Sequence, residues 1–330
     1  MRFGLFIPQG WRHDLVGIDP AEQWATMNDL AQHADRGETW ESIWVYDHFH
    51  TVPVPSATEA THEAWTLMSA FAASTERVRL GQMCTCISYR NPAYLAKVAA
   101  TVDLISGGRT EMGIGAGWYE HEWLAYGYGF PDAPERLARL REGVEIMHQA
   151  WTTGSATLDG KHYQVDGAIV QPQPLQAGGI PMWVAGGGEK VTLKIAAKYA
   201  SYTNYGNTLD EFVHKNDVLA GHCEKLGRDA SSIVRSSNFN TIVGATEAEV
   251  AERLAVVEAR VRPFLGDEAT ARFLGDYASS PAVGTPEQVV EKLGAWKDAG
   301  LGYSIHYFPE AAYDRSGIEL FEREVAPALA

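Results

Sequence analysis

The chain has 330 residues, 45% hydrophobic and 21% charged, an ordinary globular composition that excludes a fibrous or largely disordered chain. Lys and Arg number 27 against 42 Asp and Glu, a formal net charge of -15 with no basic run, which disfavours nucleic acid and anionic bilayers as partners. No apolar stretch approaches the roughly 18 residues of a membrane helix. Three cysteines, Cys84, Cys86 and Cys223, are too few and too odd for a disulfide framework and fit a reducing cytoplasm.

The apolar run at 3–8 is too short for a secretory segment and stops at Pro8, so it reads as a first strand. Asp19-Pro20 opens a helix over 20–37, with Asp19 as N-cap, Pro20 in the first turn and Glu22 closing a box. A strand follows at 42–47, a helix at 62–75 and a strand at 78–86. Asn91-Pro92 starts a helix that runs to 105 and ends at Gly107-Gly108, and 110–115 is the next strand. A long helix covers 135–152. Residues 153–180, rich in Gly, Gln and Pro, form an excursion containing a hairpin.

The alternation continues with a strand at 181–185, a helix at 189–200 and a strand at 201–205. Thr208 with Glu211 caps a helix over 209–226, and a strand at 233–243 follows. Thr246 with Glu249 caps a helix over 247–262, and residues 264–284 read as a second irregular excursion. Thr285-Pro286 with Gln288 caps the helix 286–299, whose Val289, Val290, Leu293 and Trp296 make one apolar stripe. A strand at 302–308 and a helix at 314–326 close the chain. Eight strand–helix units with apolar strands predict a (β/α)8 TIM barrel, taken as one domain over 1–330 with the two excursions. A doubly wound sheet would want a glycine fingerprint after its first strand, and Pro8-Gln9-Gly10 is not one.

Barrel active sites lie at the C-terminal ends of the strands. That rule selects Gln9, Asp47-His48, Cys84 and Cys86, residues 115–118, residues 186–189, Asn204, Asn240 and residues 306–308. A histidine there exchanges protons near neutral pH, and a neighbouring carboxylate fixes its tautomer, so Asp47-His48 is a candidate acid–base pair. The opposing reading is a turn cap and a packed ring. His48-x-His50 also has metal-ligand spacing, without a convincing set of further ligands. Gly113, Gly115 and Gly117 allow close approach of a flat ligand, and Glu120, His121 and Glu122 after them supply titratable groups. Gly186, Gly187 and Gly188 before a helix form a candidate phosphate site, with Lys190, Lys194 and Lys198 beyond. Glu189 is able to occupy the same donors itself. Trp11, Trp40, Trp118, Tyr119 and Phe308 point to an apolar or planar substrate.

Five segments then take on a common meaning: FGLFIPQ at 3–9, WVYDHF at 44–49, RLG at 79–81 through YRNP at 89–92, LISGGR at 104–109 into GIGAGW at 113–118, and PMWVAGGG at 181–188. In order and spacing they resemble the bacterial luciferase-like monooxygenase superfamily, nearest to its coenzyme F420-dependent oxidoreductases. The resemblance covers nearly the whole chain. It implies a TIM barrel carrying a deazaflavin, coenzyme F420, with FMN as the alternative. It also implies a non-prolyl cis peptide at Met83–Cys84 against the ring and cofactor phosphate on residues 186–188. Asp47 would lie near the ring and His48 would be the general acid or base. The implied cofactor set is Asp47, Met83, Cys84, Cys86, His121, Ala185, Gly186, Gly187, Gly188 and Glu189. Glu120 and His121 are further catalytic candidates, and Gln9, Trp118 and Tyr119 substrate candidates. One branch has a glutamate directly after its Gly-x-Gly where this chain has Trp118, which argues against a sugar-phosphate substrate. The family also suggests a homodimer. The competing functions are an FMN monooxygenase, a metal hydrolase using His48 and His50, and a barrel that binds without catalysis.

Overall fold

Strands buried on both faces read as unbroken apolar runs rather than as alternation, and here such runs are parallel strands joined by helices. A computed structural model describes all residues, 1–330, in two units: Met1–Glu63 with Ser236–Ala330, and Ala64–Arg235.

In the first unit the strand Arg2–Phe6 lies between Trp40–Val45 and Leu301–Tyr307, parallel to both, with Leu5 opposite Ile43 and His306. Helix Pro20–Arg36 has the expected Asp19 N-cap and Pro20 in its first turn, but Asp19 accepts the Ala21 amide at 2.8 Å in place of the expected box with Glu22; the helix buries Met27, Leu30, Ala31 and Ala34. Helix Pro286–Asp298 has the complete Thr285–Gln288 capping box and buries Val289, Leu293 and Trp296. The Thr246 hydroxyl accepts the Glu249 amide at 3.2 Å, while the Glu249 carboxylate reaches one residue past the cap, to the Ala245 amide at 2.8 Å.

The excursion expected over 264–284 is corrected by the structure: Glu247–Ala278 is helical, broken only at Gly266, whose φ of 70° and ψ of 173° kink it. Pro263 and Gly266 suggest a loop, but Val257, Val261, Leu265, Ala269, Phe273 and Tyr277 recur every fourth residue and are all buried. That stripe overrides the breakers. The expected last helix is three pieces, Ser316–Leu320, a π turn at Phe321–Val325 and Ala326–Leu329.

In the second unit Thr110–Gly115 pairs in parallel with Arg79–Gln82 and Thr85–Cys86 on one side and Met182–Ala185 on the other, and Tyr202–Asn204 follows. The strand expected over 78–86 is therefore two segments, separated by a cis Met83–Cys84 peptide. Gly113 faces this join: a Cβ there would stand 1.8 Å from the Gln82 carbonyl oxygen, so only glycine fits. Arg109 secures the entry to the same strand, donating to the carbonyls of Ala72, Thr75, Val78 and Ser106 and so capping helix Ala64–Ser74. The excursion at 153–180 contains the hairpin Ser155–Asp159 with Gln164–Ile169, antiparallel. The Glu142 carboxylate anchors its turn by accepting the amides of Lys161, His162 and Tyr163 at 3.1, 2.8 and 3.0 Å. No helix is long and apolar enough to cross a membrane.

Candidate active site

Beyond the strand ends of the first unit the chain builds an aromatic stack. Phe6 lies on Tyr46, with centroids 4.2 Å apart and planes 6° from parallel; Tyr46 meets Trp11 at 4.0 Å; and Trp11 carries His48 at 4.4 Å with planes 5° apart. The His48 imidazole is thus held flat against the Trp11 indole. Asp47, next to it, is buried. Gln9 is only 1% exposed and acts as a brace: its amide nitrogen donates to the Tyr46 and His62 carbonyls at 2.7 and 2.6 Å, and its oxygen accepts the Tyr46 amide at 2.7 Å.

Two polar groups that the sequence reading missed lie in the same unit. Arg12 sits against the rings of Tyr307, Phe273 and Trp11, 5.0–5.7 Å from their centroids, and donates to the Asn240 side chain at 2.5 Å. Burial pulls its pKa down, but Tyr277, Tyr46, Tyr307 and Asp276 more than restore it, so the guanidinium keeps its charge. Asp14 accepts from the Gly10 amide at 2.6 Å and the Tyr307 hydroxyl at 2.8 Å, and burial pushes its pKa up. The only available signal was a charged residue between Trp11 and His13 just after a strand. His306, expected at a strand mouth, is a core residue: its nitrogens pair with Thr241 and Ser304 at 2.9 Å each, and burial lowers its pKa to about 3.

In the second unit Cys84 is half-buried, Cys86 and Met83 are buried, and none of the three cysteines of the chain is in a disulfide. A Cβ on Gly115 would stand 2.6 Å from the Cys84 sulfur, so glycine there makes room for the Cys84 side chain. After it, Trp118 is 60% exposed and rings 118, 119 and 121 run in a ladder at 5.3 and 5.9 Å. Glu120 and His121 are exposed, at the start of the short helix Glu120–Ala125. Glu122 is withdrawn, fully buried and accepting from the Tyr89 hydroxyl at 3.0 Å. No three His, Cys, Asp or Glu side chains are grouped to hold a metal ion.

The glycine run follows strand Met182–Ala185. The helix expected from 189 begins at Thr192, because residues 189–191 first make a turn. Gly186 has a φ of 111°, open to glycine, and its amide donates to the Asn204 carbonyl at 2.9 Å. A Cβ on Gly186 would meet only a Thr192 methyl carbon at 3.6 Å, one on Gly187 would meet Lys215 Cε at 3.2 Å and a Glu211 carboxylate oxygen at 3.8 Å, and one on Gly188 would meet the Thr192 hydroxyl at 2.8 Å. A backbone cradle without side chains, beside an ammonium, fits a phosphate group. Lys215, which the sequence reading passed over, looks like a surface partner of Glu211 by its four-residue spacing.

This chain belongs to the luciferase-like monooxygenase family, whose model matches residues 1–302. Among curated relatives, the F420-dependent glucose-6-phosphate dehydrogenase of Nocardia farcinica (strain IFM 10152) is 30% identical over 316 residues, 88% of this chain and 89% of that protein. The enzyme of the same name from Amycolatopsis mediterranei (strain U-32) is 35% identical over 196 residues, 58% of this chain and 56% of that one. The solved structure of monooxygenase RslO1 from Streptomyces bottropensis matches the whole of both chains with a TM-score of 0.82 at 20% identity. The fold is the (β/α)8 barrel that the strand–helix alternation predicts.

Proposed function

We propose that this protein is an F420-dependent oxidoreductase that moves a hydride between the deazaflavin and a small organic substrate, with His48 as general acid or base. The observation that carries the reading is the family membership together with full-length relatives named as F420-dependent dehydrogenases. Coenzyme F420, when bound, supplies the hydride chemistry. The protein's own residues do the rest. Gly187 and Gly188 hold the phosphate with backbone amides, while Gly186, its own amide on the Asn204 carbonyl, makes the turn that opens the cradle. Gly113 and Gly115 let their strand pack closely on the Gln82–Cys84 join, and Met83, Cys84, Cys86 and Ala185 line the place of a flat ring. His48, held flat by Trp11, exchanges the proton that accompanies hydride transfer, and Asp47 orients it. Trp118 and Tyr119 offer ring faces to substrate. An exposed indole at 118 favours an apolar or planar substrate over the sugar phosphate in the relatives' names. Glu120 and His121 are accessible as a second acid. One barrel domain, assembled as a homodimer in the cytoplasm, completes the reading, and sedimentation equilibrium tests the dimer.

The first test is fluorescence titration with F420 and with FMN side by side. Tight F420 and weak FMN binding is expected; the reverse result moves the protein to flavin monooxygenation and makes oxygen uptake the decisive assay. His48→Ala should then leave F420 affinity within about threefold and lower turnover about 10²–10⁴-fold. Unchanged turnover removes His48 from the mechanism.

A further inference from the structure

Glu189 directly follows the glycine run and is clasped by one helix, Leu209–Lys225. Its Oε1 accepts from Lys215 Nζ at 2.7 Å and pairs with His214 Nε2 at 3.0 Å, while its backbone carbonyl pairs with His222 Nε2 at 2.7 Å. The two charged partners are unequally placed: the Lys215 side chain is 14% exposed and that of Glu189 43%. Lys215 runs along the cradle, its Cε 3.2 Å from the point where Gly187 would carry a Cβ. A shielded ammonium beside an anion cradle is thus covered by an outer carboxylate from the same turn. Such an exposed carboxylate is held weakly, since solvent screens the pair and its side chain is free to rotate away.

We propose that Glu189 is a displaceable counter-ion. Lys215, assisted by His214, forms a second anion subsite beside the glycine cradle. An anionic oxygen group on the cofactor's side chain takes the place of the Glu189 carboxylate there. The inference rests on the F420 reading above and gives it a specificity element. The side chain of F420 continues beyond its phosphate into carboxylates, whereas FMN ends at the phosphate. A subsite adjoining the phosphate cradle therefore selects the longer polyanion.

The test is equilibrium binding by fluorescence of three deazaflavins: F420 with its glutamate tail, the form with phosphate and lactate but no glutamates, and the bare chromophore without phosphate. Each is titrated into wild-type protein, Lys215→Ala, Lys215→Arg and Glu189→Gln, with circular dichroism melts as the folding control. Losing one charge-assisted contact should weaken F420 binding about tenfold in Lys215→Ala. Lys215→Arg should retain most of the affinity. Glu189→Gln, which frees the ammonium without deleting it, should tighten F420 about three- to tenfold. The bare chromophore should be indifferent to all three variants. A Lys215→Ala loss confined to tailed F420 assigns the subsite to the glutamates, and a loss shared with the tail-less form assigns it to the phosphate and lactate. Equal losses for all three ligands, or weaker F420 binding by Glu189→Gln, overturn the proposal. If Lys215→Ala does not fold, the exposed Glu189 variant still decides. Variants that all match a tightly binding wild type overturn this inference and leave the F420 reading standing. A wild type that binds no deazaflavin ends both.

Discussion

Gln9→Glu is the smallest change that tests the brace under the His48 stack. The wild-type amide gives two N–H bonds, to the Tyr46 and His62 carbonyls at 2.7 and 2.6 Å, and its oxygen accepts one. A carboxylate keeps the accepted bond but turns two donors into acceptors that face carbonyl oxygens at those distances. Two bonds are lost, about 1 kcal/mol each, and each orphaned carbonyl adds about 1–2 kcal/mol. At a residue 1% exposed, ionisation adds more, so the introduced carboxyl takes up a proton in the folded variant and donates one bond back. Its folded pKa is raised above the unfolded value near 4.3, so the unfolded state releases its proton first. The variant should therefore lie about 2 kcal/mol below wild type at pH 4.5 and lose about 1.4 kcal/mol more per pH unit above it, until the introduced carboxyl ionises in the fold. Urea denaturation of both proteins from pH 4.5 to 8 measures this. A gap under about 1 kcal/mol, or one that does not widen with pH, would show that the amide is no brace.

Three further predictions concern other buried groups. His306 has a folded pKa of about 3 against 6.5 unfolded, so it binds no proton in the fold while the unfolded chain does. Its contribution is full above pH 6.5 and falls by about 1.4 kcal/mol per unit as pH drops towards 3, and His306→Leu should flatten that limb of the stability profile. Glu310 is buried with neither oxygen hydrogen-bonded and Arg253 3.8 Å away, and burial raises its pKa to about 7 from 4.5. It therefore costs stability as pH rises through that window, and Glu310→Gln should gain about 2–3 kcal/mol at pH 8, as read by chemical denaturation; no gain would show that the carboxylate is paired. Glu142→Ala should cost about 2–3 kcal/mol through three lost amide bonds, and a melt indistinguishable from wild type would refute the anchor.

The fold was legible because parallel strands announce themselves as apolar runs and helices by their caps: Asp19, Asn91, Thr208, Thr246 and Thr285 all stand at helix starts. The helix past residue 262 was not, since Pro263 and Gly266 are local signals and the buried stripe that overrules them counts only against a partner surface. Candidate site residues divide in the same way. Position along a strand is enough to single out the glycine run and Asp47-His48 as candidates. The brace by Gln9, the withdrawal of Glu122 to Tyr89 and the Lys215–Glu189 pair depend on partners 37, 33 and 26 residues distant, which no local pattern records.

The turn between the two hairpin strands has a kinetic signature of its own. Three consecutive amide protons, of Lys161, His162 and Tyr163, end on one carboxylate. Burial raises the Glu142 pKa, and these amides more than reverse it, holding the group below its ordinary value. In deuterium exchange this surface turn should therefore behave like the interior of a sheet at neutral pH. Protection relative to intrinsic rates should vanish at all three sites together once acid protonates Glu142, because a single proton releases them as one unit.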